Sequence, residues 1–177
     1  MLAIMEENPI AAIHDDGGAD ADALLASVAF AQQRAGRRVA GLVMRYRGER
    51  GDCARDMILV DVATGDEYLA SQSLGSGSKS CRVDPQAFAH ASRVLRAIGD
   101  PAPDLVVCNR FGNLERQGQG FASELLSLMA RGVPLLTVVS TRHLDAWAEF
   151  TGGATVLPAD AAAVAAWLEG ALATSAS

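Results

Sequence analysis

Hydrophobic residues along this chain fall into two arrangements: short unbroken apolar runs, and longer stretches in which they recur every three or four positions. Residues 9–14 (PIAAIH) form the first run and stop at Asp15-Asp16-Gly17-Gly18, which predicts a buried strand and a turn. From Asp20 the spacing changes. Leu24, Leu25, Val28 and Phe30 recur at helical intervals, and Gly36 supplies the C-terminal stop. Residues 38–44 (RVAGLVM) predict a second strand, so the chain opens with a βαβ unit whose crossover is expected to be right-handed. Residues 57–62 and 67–74 predict two further strands, joined by the hairpin signal Ala63-Thr64-Gly65-Asp66. After a Gly/Ser-rich loop, residues 75–82 (GSGSKSCR), Asp84 and Pro85 mark the cap and first turn of a helix running to residue 98.

The second half is more regular. Residues 104–108 (DLVVC) and 134–139 (PLLTVV) are apolar enough for strands buried on both faces. Helices are predicted over 121–130, 144–150 and 160–172, with a short strand over 154–157. Strand and helix alternate almost throughout. The expected fold is therefore a single α/β domain over residues 1–177: a three-layer, doubly wound, mainly parallel sheet with an antiparallel hairpin at one edge.

Composition narrows the classes of function. Half of the 177 residues are hydrophobic and 20% are charged, enough for an ordinary core. A formal net charge of −6 disfavours nucleic acid as a partner, and any anion site must be a local concentration of cations and backbone N–H groups. Cys53, Cys81 and Cys108 are widely spaced and odd in number, which disfavours a disulfide framework or zinc site and fits a reducing cytoplasm. No signal peptide is evident, and no apolar stretch approaches the ~20 residues of a membrane span, so neither secretion nor membrane insertion is expected.

Ligands of open parallel sheets bind beyond the carboxyl ends of the strands. Three polar segments follow the predicted strands there: His14-Asp15-Asp16-Gly17-Gly18, the run from Asn109 to Glu115, and Ser140-Thr141-Arg142-His143. The first occupies the place of a phosphate loop, but it holds Asp15, Asp16, Asp20 and Asp22 and no lysine. Helix capping and a cation site both fit it, whereas a triphosphate would be repelled. Lys79 and Arg82 lie before a helix start, where an anion could be held, although an ordinary solvated loop fits as well. Cys81 reads as a reactive thiol or an inert one. Arg110 is placed to clamp an oxyanion or to pair with Glu115 or another acid. Glu115 could hold a cation or serve a helix start. Arg142 and His143 are further ligand candidates, whereas His14 reads as strand-end packing, His90 as surface, and Trp147 with Phe150 as core. The mouth is expected to be one in which cations outweigh carboxylates.

The phrases VVCNRFGNLE (residues 106–115), SCRVDP (80–85) and WAEFTGG (147–153) resemble a bacterial family of unknown function whose members are commonly encoded beside, or fused to, components of molybdate transport. That family in turn resembles the small nucleoside-triphosphatases of the P-loop class. In those enzymes the equivalent strand ends in Asp-Glu-x-Gly-x-x-Glu. Here Asn109 and Arg110 replace the two acids, while Gly112 and Glu115 are kept. Asn is a poorer magnesium partner than a carboxylate, and Arg cannot act as a general base. The resemblance implies the fold and the molybdenum context; joined to the residues above, it leads to the expectation of a nucleotide- or oxyanion-binding accessory protein, with Asp15, Asp16, Gly17, Gly18, Lys79, Cys81, Arg82, Asn109, Arg110, Gly112, Glu115 and Arg142 around a small anionic ligand. Nucleotide and molybdate are the implied ligands. The alternatives are an active triphosphatase using magnesium on Asp15, Asp16 and Glu115, and a regulatory module docking on a transporter ATPase.

Overall fold

A computed structural model of the chain describes residues 9–48, 56–72 and 82–175. Lys79, Cys81 and Cys53 lie outside those residues, as does the side chain of Arg82.

Nine strands and six α-helices follow one another among the described residues. β1 (Ile10–Asp15) leads through α1 (Ala21–Arg34) to β2 (Val39–Arg47). β3 (Asp56–Asp61) and β4 (Glu67–Leu69) form the hairpin, and β5 (Ser71–Gln72) pairs with β6 (Arg82–Val83) in a separate ladder. α2 (Pro85–Arg96), β7 (Leu105–Val107), α3 (Asn113–Arg116) and α4 (Ala122–Ala130) follow. The chain then runs through β8 (Leu135–Ser140), α5 (Leu144–Thr151), β9 (Thr155–Pro158) and α6 (Ala161–Ser175). The main sheet has seven strands in the order β4-β3-β2-β7-β8-β1-β9. β2, β7, β8, β1 and β9 are parallel, and β3 and β4 add antiparallel to the β2 edge.

The central strands are apolar on both sides because both sides are covered. In β1, Ile10 and Ala12 face a core closed by Phe88 and Leu95 of α2, Leu125 and Leu128 of α4, and Trp147 of α5. Ala11 and Ile13 face the opposite core, closed by Leu25 and Ala29 of α1 and by Val164 and Leu168 of α6. The layering sets where a crevice opens. β1 leaves by α1 on one face and runs to β2, while its neighbour β8 leaves by α5 on the other face and runs to β9. Connections that depart on opposite sides leave a gap between the ends of the two strands, the usual place for a ligand in such sheets.

Three local differences from the sequence reading have physical causes. β2 continues to Arg47 rather than stopping at Met44, because Arg45, Tyr46 and Arg47 pair with Ile58, Met57 and Asp56. The single strand expected over 67–74 is broken at Ala70. The Ala70 N–H donates to Met57 O and its carbonyl accepts from Asp84 N–H, which draws the chain out of the ladder. α3 and the 3-10 turn Thr141–His143 are too short to produce a period.

Gly41 of β2 has φ +118°, and a Cβ there would stand 1.8 Å from the carbonyl oxygen of Val107. Only glycine lets β2 approach β7 this closely just before the polar segment that follows β7.

Candidate functional site

The switch-point crevice collects side chains from the ends of three strands and the start of one helix. Asp15 ends β1, Asp22 lies in the first turn of α1, Tyr46 sits near the end of β2, and Arg110 follows β7. Arg110 Nη2 donates to Asp15 Oδ2 at 2.9 Å and to Asp22 Oδ2 at 3.0 Å, and the Tyr46 hydroxyl donates to the same Asp22 oxygen at 3.1 Å. Of the two readings of Arg110, pairing with an acid is the one seen, and it occupies Nη2. Arg110 joins two carboxylates brought from the first quarter of the chain, and Glu115 is not its partner. Burial tends to raise the Asp15 pKa, but the hydrogen bond and charge of Arg110 and the Gly17 N–H bring it below its ordinary 3.8. For Asp22 burial prevails over Arg110 and Tyr46 and the pKa lies above 3.8. Its Oδ1 is buried with no hydrogen-bond partner.

The loop between β1 and α1 is closed by its own acids. Asp15 Oδ1 accepts from Gly17 N–H, Asp16 Oδ1 from Gly18 N–H, and Asp20 Oδ1 from Ala23 N–H. Asp20 is thus the N-cap of α1. A cavity of about 530 Å³ lies over this loop, walled by Asp15, Asp20, Asp22, Tyr46 and Arg110. Carboxylates outnumber cations on this side of the mouth, contrary to the expected balance. The amides that could have cradled a phosphate already have anionic partners. Among the described residues, no three or more His, Cys, Asp or Glu side chains are grouped to hold a metal ion.

Arg110 and Tyr46 also border a second cavity of about 300 Å³ on the β7–β8 side. Its polar lining includes Asn109, Arg110, Asn113, Ser140, Arg142 and His143. Met44, Tyr46, Met57, Phe88 and Leu114 also line it. His143 is buried, and its Nδ1 lies 3.0 Å from Ser140 Oγ. Burial, followed by the charges of Arg142, Arg116 and Arg110, holds its pKa below 6.5. Here the cations do outweigh the acids. Across the crevice, His14 Nε2 lies 2.8 Å from Thr141 Oγ1 and ties the end of β1 to that of β8.

Glu115 and Gly112 border the same cavity. Glu115 Oε2 accepts from Gly112 N–H at 3.0 Å and Oε1 from Phe121 N–H at 3.1 Å. Burial raises its pKa despite these bonds. The carboxylate pins the segment between α3 and α4, and Gly120 makes room for it: a Cβ there would meet Glu115 Oε1 at 2.3 Å. Cys108 is buried, with its thiol pKa pushed up by burial, and Sγ lies 3.8 Å from Asn109 Oδ1. Trp147 is fully buried and Phe150 packs on the same core, both against Phe111.

The structure thus brings Asp15, Gly17, Gly18, Asn109, Arg110, Gly112, Glu115 and Arg142 to the walls of two adjoining cavities. The sequence reading did not single out Asp22 as a site residue, nor Tyr46, Ser140 or the apolar wall. Tyr46 had a faint signal, as an aromatic flanked by Arg45 and Arg47 at the end of a strand.

Residues 10–167 match the family described as Protein of unknown function (DUF2478). The chain belongs to that family. The DUF2478 match starts at the first residue of β1 and ends within α6, so it takes in both cavities and most of both cores. The chain is also 36% identical over 167 residues to the Molybdenum import ATP-binding protein ModC 2 of Bradyrhizobium diazoefficiens. That alignment covers 94% of this chain and 19% of the relative, so the chain spans about a fifth of the relative's length. No solved structure matches the chain. Among the described residues, no helix is long and apolar enough to cross a membrane.

Proposed function

We propose that the chain is a cytoplasmic anion-binding accessory domain of molybdate import, built as one α/β domain on a P-loop-like frame with altered chemistry. The observation that carries this reading is the cavity beside His143, which Arg110 and Arg142 line and to which the charge of Arg116 adds. A buried imidazole whose protonation is disfavoured, with Arg110 and Arg142 beside it, is an environment that favours an incoming anion. The ligand class is an oxyanion or a nucleotide. The likeness to a molybdenum import protein supplies the context.

The residues do not fit a magnesium triphosphate. Asp15 and Asp22 are engaged by Arg110, the loop amides by their own acids, and both oxygens of Glu115 by backbone N–H groups. Hydrolysis is accordingly not assigned. A regulatory role within a transporter assembly has its own support, since nearly all of this chain corresponds to a minor part of a much longer import protein.

Calorimetric titration with molybdate, tungstate, sulfate and nucleotides tests the reading. Binding of at least one anion, weakened by Arg142→Ala, is expected. Absence of heat from every anion at millimolar concentration would remove it. Co-purification with the transporter ATPase tests the regulatory role, and failure of the two to associate when co-expressed counts against it.

A further inference from the structure

The cavity between Arg142 and Phe88 contains more information than its charge, and the step taken here rests on the anion-binding reading above. A tetrahedral oxyanion such as molybdate presents oxygen in every direction. It needs donors or water on every side. The polar groups of this cavity come from Asn109, Arg110, Asn113, Ser140, Arg142 and His143, with Glu115 beside them. The rest of its side-chain lining is Met44, Met57, Leu114 and two aromatic rings. Oxygens set against those groups would lose water and gain nothing.

The two rings are held in place. The Tyr46 hydroxyl is fixed on Asp22 Oδ2, and Phe88 stacks on Phe121 with ring centroids 5.1 Å apart and planes 29° from parallel. Fixed aromatic and thioether groups favour a flat conjugated guest. The adjoining cavity limits the length of the anionic part. Beyond Arg110 lie Asp15, Asp20 and Asp22, with the Gly17 and Gly18 amides already bonded to carboxylates, so a phosphate chain extended that way would meet repulsion. The volume of about 300 Å³ also sits at the lower end of small-ligand sites.

We propose that this cavity takes a small organic anion: a fused heteroaromatic ring of purine size bearing one short anionic group, with the ring against Tyr46, Met57 and Phe88 and the anion against Arg142 and Arg110.

The test compares guanosine 5′-monophosphate and adenosine 5′-monophosphate with guanosine, inorganic phosphate, molybdate and guanosine 5′-triphosphate, by calorimetry on the full chain. At least one monophosphate is expected to bind tenfold or more tightly than its fragments and than the triphosphate. Loss of one charge-assisted contact in Arg142→Ala, at an exposed position, should weaken it roughly tenfold or more without moving the melting temperature. Met57→Ser should weaken the monophosphate while leaving inorganic phosphate unchanged. Molybdate or phosphate binding as tightly as the monophosphates would overturn the ring assignment and leave the anion-binding reading standing. Tighter binding of the triphosphate would overturn the length limit. Failure of every anion to bind would overturn both readings.

Discussion

Replacing Arg110 by Met is the most informative perturbation of this molecule. It keeps the length of the side chain and removes the guanidinium that joins Asp15 to Asp22. In the native arrangement Asp22 Oδ2 accepts from Arg110 and Tyr46, while Oδ1 is buried without a partner. After the substitution a carboxylate with only 9% of its side chain exposed would depend on a single phenol. Orphaning one member of a buried ion pair costs roughly 3–5 kcal/mol. Asp15 and Arg110 retain 26% and 29% exposure, so solvent offsets part of this loss. The expected destabilisation near neutral pH is about 2–3 kcal/mol. The pH dependence has a definite sign. The Asp22 pKa already lies above 3.8 in the fold and rises further without Arg110, so its stability contribution is present below 3.8 and lost as pH rises through the folded value. The Asp15 pKa is lowered, so the wild type loses that contribution as pH falls. Both effects narrow the gap between variant and wild type in acid. Urea unfolding near neutrality and near the ordinary carboxylate pKa measures it, and Arg110→Met with Asp22→Asn should recover at least half of the loss. A single variant within about 0.5 kcal/mol of wild type would refute the reasoning. So would a double variant no more stable than the single.

Three other outcomes are expected. Gly41→Ala should prevent normal folding or cost roughly 3 kcal/mol or more, because its methyl would overlap the Val107 carbonyl at a φ of +118°; a wild-type melting curve would contradict this. Glu115→Gln should cost about 1–3 kcal/mol, since one of its two terminal atoms becomes a donor facing the N–H of Gly112 or Phe121. Faster amide exchange at those two residues is the readout. Because the His143 pKa is held below 6.5, the unfolded chain takes up its proton first, and stability should fall as pH drops below 6.5. His143→Gln should flatten that part of the pH–stability curve, and an unchanged slope would count against it.

Much of the frame was legible because it is local. The apolar run at residues 10–13, the Asp20 cap and the Asp84-Pro85 start each act within a few positions, and the structure places β1, α1 and α2 there. The hairpin turn at Gly65 was legible for the same reason, with its N–H on Asp61 O. The site was legible only in outline. Strand ends predicted which segments meet, but the Arg110–Asp22 contact spans 88 positions and leaves no local pattern. Asp22 looked like a helix-start acid, as Asp20 is. What distinguishes it is burial against Tyr46, which depends on β2 running three residues past its apolar stretch. Glu115 carries a motif position, yet its geometry shows a carboxylate bonded to two amides. Gly41 gave no sign of its importance, since only the neighbouring strand reveals the close approach.

The place of β1 in the sheet has a consequence for how the protein is made. Its flanking partners are β8 and β9, with Ile10 beside Leu135 and Ala11 beside Thr155. A polypeptide leaving the ribosome therefore carries β1 with both edges bare until β8 and β9 have been made. Contacts of such wide separation slow folding and expose apolar backbone on the way. Nascent chains arrested before β8 should engage chaperones strongly, and those that include β9 should release them.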